Sequence, residues 1–244
     1  MANPSGARRR VRIIGGGRAG RSFALALTQT GWRVASVMSR GDDVASAAAD
    51  VDLVLIATPD AAIEEVAALI EPRPETVIAH VAGSIGLEVL ASHSRRGAVH
   101  PLVAMPTPDI GATRLVSGGW FAIAGDSITS EVVDDLGGRW FEVADSDRSA
   151  YHAAAVIASN HVVALLGQAE RIAVSAGVPF AAYVELVRST VDNVAQLGPA
   201  AALTGPAARG DWATIDRHLA ALDPDERAAY QEMVRLARRL VPEA

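Results

Sequence analysis

From Val11 to about Val143, short apolar runs alternate with amphipathic stretches, as strands and helices do when they take turns around a mostly parallel sheet. Strands are predicted at 11–14, 33–38, 53–56, 76–81, 98–100, 120–124 and 140–143, with helices opening near Arg18, Ala61, Gly86 and Thr129. Gly, Pro and Asp mark the turns between them. After Asp145 the texture changes, because residues 149–176 contain no proline, only Gly167, and apolar positions all round a helix. Such a helix spans roughly 40 Å at 1.5 Å per residue and needs cover on several sides. Further helices are predicted at 180–197, 211–222 and 224–240, divided by Gly198-Pro199, Gly205-Pro206 and Asp223-Pro224. The expected fold class is α/β, with a doubly wound N-terminal domain over 1–145 and an all-α domain over 146–244.

Half of the 244 residues are apolar, enough for a sizeable core. The net charge of −6 gives no electrostatic reason to bind nucleic acid or an anionic membrane. The basic cluster Arg8, Arg9, Arg10 and Arg12 reads as a solvated tail before the first strand. With no cysteine there is no disulfide framework and no thiolate chemistry, which fits a reducing compartment. No secretory signal or uninterrupted membrane span is apparent, so a cytoplasmic protein without membrane partners is expected. No His, Asp and Glu set has metal-ligand spacing, and no metal is expected. All 22 basic residues are arginines, so lysine chemistry is unavailable.

The first predicted strand runs into Gly15-Gly16-Gly17-Arg18-Ala19-Gly20 and then into a helical pattern. Gly15 suits the tight turn, Gly17 lets backbone approach a pyrophosphate, and Gly20 allows close packing of helix on strand. Amides at the helix start, including those of Arg18 and Ala19, then face the phosphates. This is the dinucleotide fingerprint of a Rossmann domain in its required strand, turn and helix context. Twenty residues on, where an acid would hold the ribose of NAD, stand Ser39 and Arg40. A guanidinium and a hydroxyl there suit a 2′-phosphate, so NADP(H) is the expected cofactor. The competing reading makes Arg40 a solvated loop residue and gives the ribose to Asp42 or Asp43. Later strand ends point to the same edge: Thr58-Pro59 beside the nicotinamide half, and Ala82-Gly83-Ser84. Asp60 is expected to cap the following helix.

The fingerprint, Ser39-Arg40, Thr58-Pro59-Asp60 and the long helix opening a helical domain together resemble the 6-phosphogluconate dehydrogenase-like superfamily, including ketopantoate reductases, pyrroline-5-carboxylate reductases and prephenate dehydrogenases. Gly83-Ser84, His100-Pro101-Leu102, Tyr151-His152-Ala153-Ala154, Ser159-Asn160, Thr204-Gly205-Pro206 and Arg209-Gly210-Asp211 resemble Rossmann-like proteins with a C-terminal DUF2520 domain. The resemblance spans nearly the whole chain. It implies an oxidoreductase, with ketopantoate reduction in pantothenate synthesis a candidate activity. Hydroxyacid dehydrogenases of the superfamily carry a lysine one turn before an asparagine on the long helix; if Asn160 matches that asparagine, the lysine position holds Val156. Either another residue supplies the proton or the protein is not a catalyst.

Reducing a ketone needs hydride on carbon and a proton on oxygen. His152 lies seven and eight residues before Ser159 and Asn160, close to two helical turns, so all three can share one face. His152 could donate the proton, Asn160 could polarise the carbonyl, and Ser159 could act through a water. Equally, His152 could bond locally and Asn160 bridge two helices. Ser84 and His100 are candidate substrate contacts, and Arg209 could bind a substrate carboxylate or instead pair with Asp211. The leading expectation is an NADPH-dependent reductase of a small 2-keto acid acting as a homodimer through the helical domain, which is too short to cover its own long helix. The alternatives are a prephenate dehydrogenase- or imine reductase-like enzyme, and a non-catalytic NADP-binding regulator.

Overall fold

The computed structural model describes residues 9–242. Residues up to Ser159 form one compact unit, and residues from Asn160 form a second.

The first unit is built on a seven-stranded sheet in the order β2-β1-β3-β4-β5-β6-β7, comprising β1 (Arg10–Ile14), β2 (Arg33–Met38), β3 (Leu53–Ile56), β4 (Val77–His80), β5 (Arg96–Pro101), β6 (Trp120–Gly125) and β7 (Arg139–Glu142). β2 through β5 run parallel, β6 is antiparallel to β5, and β7 is parallel to β6. β3 and β4 are buried at every residue, as central strands covered on both faces must be. Helix α1 (Arg18–Gln29) turns Phe23, Ala26 and Leu27 into one core with Ile13, Leu53 and Leu55, while Ile14, Val54 and Ile56 enter the other.

Several elements differ from the sequence reading. The helix expected near Ala61 opens as a 3₁₀ turn at Asp60–Ala62 before α2 (Ile63–Leu69), and the one expected at Gly86 is only a 3₁₀ turn, Leu87–Leu90. Helix α3 (Pro108–Leu115) was not foreseen; Thr107 caps it by accepting from the Ile110 amide, Pro108 opens it, and Gly111 permits close approach to Ser22 of α1. Helix α4 (Ile128–Asp135) lies where expected. The arginine cluster is not a solvated tail from Arg9 onward. Arg9 pairs with Glu131, while Arg12 lies in β1 and donates to the Ala47 carbonyl at 2.6 Å and the Ala49 carbonyl at 3.1 Å. Arg8 lies outside the described residues.

The long helix has an interruption: α5 (Arg148–Val156) passes through a π turn, Ile157–His161, into α6 (Val162–Ser175). The second unit continues with α7 (Phe180–Leu197), the short α8 (Pro199–Ala202) and α9 (Pro206–Arg209), α10 (Trp212–Ala221) and α11 (Pro224–Arg238). Gln168 and Arg171 of α6 both bond Glu226 of α11, and His218 of α10 bonds the Tyr230 hydroxyl of α11 at 2.6 Å. Its buried apolar residues among those described are Ala173, Ala207 and Ile215, whereas Val163, Val174, Leu186, Val191 and Leu197 are exposed.

Candidate active site

The glycine loop follows β1 directly. Gly15 has φ +120° and sits against the Ala57 carbonyl, where a Cβ would come within 2.4 Å. A Cβ on Gly20 would stand 1.9 Å from the Gly15 carbonyl oxygen, so the first turn of α1 rests on the loop. Gly17 differs, since nothing lies within 4 Å of its Cβ position: the protein leaves that space open. Helix α1 begins there without a side-chain cap and without an acid in its first turn, so its first amides are available to an anion. Arg18 is exposed and Ala19 half-buried beside them. The Thr58 hydroxyl, at the end of β3, is buried with no partner among the described residues, and Pro59 next to it is exposed. Open space, uncapped amides and an orphan hydroxyl on one sheet edge fit a dinucleotide.

Ser39 closes on this loop from the end of β2, with its hydroxyl 2.5 Å from where a Gly16 Cβ would be. Asp42 accepts from the Ser39 amide at 2.7 Å and Asp43 from the Ala45 amide at 3.0 Å, so both carboxylates are engaged in shaping their own turn. Arg40 is exposed and makes no ion pair among the described residues.

Further along the same edge a cluster of rings stands over the ends of β4 and β5. The Tyr151 hydroxyl lies 2.6 Å from His100 Nδ1. The His152 ring meets His100 edge-on at 5.7 Å between centroids, and Phe141 packs against Tyr151 at 5.9 Å. Gly83 makes this possible, because a Cβ there would come within 2.6 Å of the His152 ring and 2.8 Å of the His100 ring. The Gly83 loop is held by His80, which is fully buried; its Nδ1 accepts from the Ala82 amide and its Nε2 meets the Gly86 carbonyl. These two bonds fix the neutral tautomer with the proton on Nε2, and burial holds the His80 pKa below its usual value. Asp60 does not cap the helix after it: its carboxylate accepts from the Ser84 hydroxyl at 3.0 Å, leaving the short 3₁₀ turn with no side-chain cap.

Burial first, then His152 and the Arg148 cation, hold His100 down to about 4, so it is neutral at physiological pH. Burial pushes Tyr151 up to about 12, so its phenol keeps its proton. The His100 shift carries a stability consequence. Unfolded, this histidine takes up a proton below about pH 6.5, but folded only below about 4, so its contribution is intact above pH 6.5 and is lost as pH falls towards 4. Urea unfolding at pH 7 and pH 5 should show a loss of about 2 kcal/mol, and clearly less in His100→Gln. An equal loss in both proteins would mean that other groups carry it.

Of the residues the sequence put forward, the structure gathers Ser84, His100 and His152. Ser159 and Asn160 lie in the π turn, and Ser159 donates to the Ala155 carbonyl at 2.7 Å. A π turn takes about one residue more than an α turn, so the spacing that set these two on the face of His152 does not carry across it. Arg209 is exposed in the second unit; its expected partner Asp211 instead caps α10, accepting from the Thr214 amide and hydroxyl. Sequence reasoning gave no role to Tyr151 and gave Asp60 only that of a helix cap. Tyr151 was visible only as the neighbour of His152, since its partner His100 is 51 residues away.

A model of the domain of unknown function DUF2520 matches residues 121–237, and a Rossmann-like domain model matches residues 41–106. The chain carries both domains. The DUF2520 match begins within β6 and so takes in Tyr151 and His152. Comparison with curated proteins finds no match. Among solved structures, a Bacteroides fragilis protein described as an NADP oxidoreductase aligns with TM-score 0.80 at 22% identity, covering 95% of this chain and 98% of that one. A reductive aminase from Aspergillus terreus, in complex with NADPH4, cyclohexanone and allyl amine, aligns with TM-score 0.69 at 16% identity, covering 95% of both chains. Plasmodium falciparum pyrroline carboxylate reductase with NADP bound aligns with TM-score 0.62 at 14% identity, covering 96% and 98%. At these identities the likeness is one of fold.

Proposed function

We propose that this protein is an NADPH-dependent reductase of a small 2-keto acid, within the 6-phosphogluconate dehydrogenase-like superfamily, and that ketopantoate is the first substrate to test. The observation carrying this reading is that a neutral histidine and a protonated tyrosine, 2.6 Å apart, stand on the same sheet edge as the glycine loop. Gly15, Gly17, Gly20 and the first amides of α1, at Arg18 and Ala19, hold the pyrophosphate; Ser39 and Arg40 hold the 2′-phosphate; Thr58 and Pro59 flank the nicotinamide half. When bound, that cofactor supplies the hydride.

The chain's own part is the proton. With Nδ1–H of neutral His100 donating to the phenol oxygen, the Tyr151 hydroxyl proton is free to pass to the substrate oxygen as negative charge develops there. The phenolate left behind is stabilised by the same Nδ1–H. Ser84 and His152 contact the substrate, and no lysine is required. Asn160 polarises the substrate carbonyl and Ser159 assists through a water, a contribution tested below against that of Tyr151.

The alternative reading is an imine reductase, favoured by the reductive aminase fold and by Asp60, whose negative charge beside His100 suits a protonated imine. A panel of keto acids and imines separates the two.

Fluorescence titration should show tighter binding of NADPH than of NADH. Arg40→Ala should weaken NADPH binding by about 10- to 100-fold, as loss of a charge-assisted bond does, while changing NADH binding little. Equal affinities for the two cofactors would remove the assignment.

Among the described residues the second unit buries few of its apolar side chains, and the run Asp145–Ser175 is long and apolar enough to cross a membrane by length and composition, with its most apolar 18-residue window unburied. A second copy of the chain is the proposed cover. Sedimentation at micromolar concentration should give a dimer without detergent. A detergent-free monomer, or a protein recovered only with membranes, would contradict this.

A further inference from the structure

We infer that Arg148 is the carboxylate anchor of the substrate, a role that rests on the reductase reading and narrows it to substrates carrying an anion beside the reducible carbon. Arg148 is the first residue of α5 and is 0% exposed, the largest fully buried side chain among the described residues. Among the described residues only Nε of its guanidinium has a partner, Asp145 Oδ1 at 3.2 Å. Nη1 and Nη2 are buried and make no hydrogen bond among the described residues. Asp145 makes no hydrogen bond to either nitrogen: its other oxygen accepts from the Leu87 amide at 2.9 Å, and the carboxylate itself is half exposed.

A buried guanidinium with two unanswered nitrogens is costly, and a planar carboxylate accepting from the pair would answer both at once. Its position says which ligand. Tyr151 and His152 follow at i+3 and i+4, so Arg148 stands one helical turn from both rings on the same face of α5. The Arg148 charge is felt at His100 and at Tyr151. In a 2-keto acid the carboxylate is bonded directly to the carbonyl carbon, so an anchor one turn from the proton donor matches the substrate's own dimensions. Arg209, the other candidate cation, is an exposed residue at the end of a four-residue helix.

The test uses oxamate, an unreactive 2-keto acid analogue, with the whole protein saturated by NADPH, and reads thermal melting and isothermal titration. Wild type should melt higher with oxamate, and Arg148→Met should weaken oxamate binding at least 100-fold. Arg148→Lys, which keeps the charge but not the fork, should recover only part of it. Without ligand, Arg148→Met should melt at or above wild type, since removing two buried nitrogens that lack acceptors relieves a cost that outweighs the half-exposed Asp145 pair; this also shows that the variant folds. In turnover, the preference for a 2-keto acid over its neutral amide should fall about 100-fold in Arg148→Met. Oxamate binding to Arg148→Met within threefold of wild type would overturn the inference, as would its loss in Arg209→Ala instead. Failure of the reductase reading looks different: oxamate binding that depends on Arg148 in a protein that oxidises no NADPH.

Discussion

Tyr151→Phe should lower kcat for the true substrate by between 100- and 10,000-fold while leaving NADPH affinity within about threefold. The range is that of a lost general acid together with the transition-state hydrogen bond it made. Phenylalanine keeps the ring contacts with His100 and Phe141, so only the hydroxyl at 2.6 Å from His100 Nδ1 is removed. His100→Phe should also depress kcat, but less, because it leaves the phenol in place and removes its support. The competing assignment is Asn160 as the carbonyl-polarising group. If Asn160→Ala loses more than Tyr151→Phe, the proton donor has been misassigned. If Tyr151→Phe folds and turns over within threefold of wild type, the mechanism fails.

The second large effect concerns the glycine loop. Alanine is ordinarily the better helix former by about 1 kcal/mol, so Gly20→Ala within α1 would stabilise an unconstrained helix. Here the new methyl would fall 1.9 Å from the Gly15 carbonyl oxygen, backbone against which no side chain can yield. The loop or the helix must move, at a cost of about 1–3 kcal/mol in stability. The amides that would face a pyrophosphate move with it, and NADPH affinity should fall by at least tenfold. Gly17→Ala is the informative partner. Its Cβ meets nothing in the protein, so it should fold as wild type and yet bind NADPH more weakly, because the space it fills is the ligand's. Normal NADPH binding by both variants would move the cofactor elsewhere.

The sequence pattern located the sheet nearly to the residue, with 33–38 and 53–56 matching β2 and β3 at both ends. Strands buried on both faces leave unbroken apolar runs, and glycine, proline and aspartate cut them cleanly. Helix α3 escaped because eight residues with a central glycine show little periodicity; only Thr107-Pro108 announced it. The π turn has no signature of its own, yet the α-helical spacing that linked Ser159 and Asn160 to His152 does not hold through it. The cofactor end of the site was readable because its chemistry lies in one contiguous motif and its neighbouring strand ends. The ring cluster was only half readable. His100 and His152 stand out as residue types, whereas Tyr151 and Arg148 acquire meaning from burial and from partners on other elements. An arginine opening a helix otherwise reads as a surface residue, and nothing local shows that Arg148 is enclosed.

The most direct measurement follows NADPH absorbance at pH 7 with a panel of 2-keto acids, ketopantoate included, and cyclic and acyclic imines. NADPH should be oxidised with at least one 2-keto acid, faster than with the matched amide and faster than NADH is with the same acid. Tight NADPH binding with no oxidation by any member of the panel would contradict it and leave a nucleotide-binding regulator in its place.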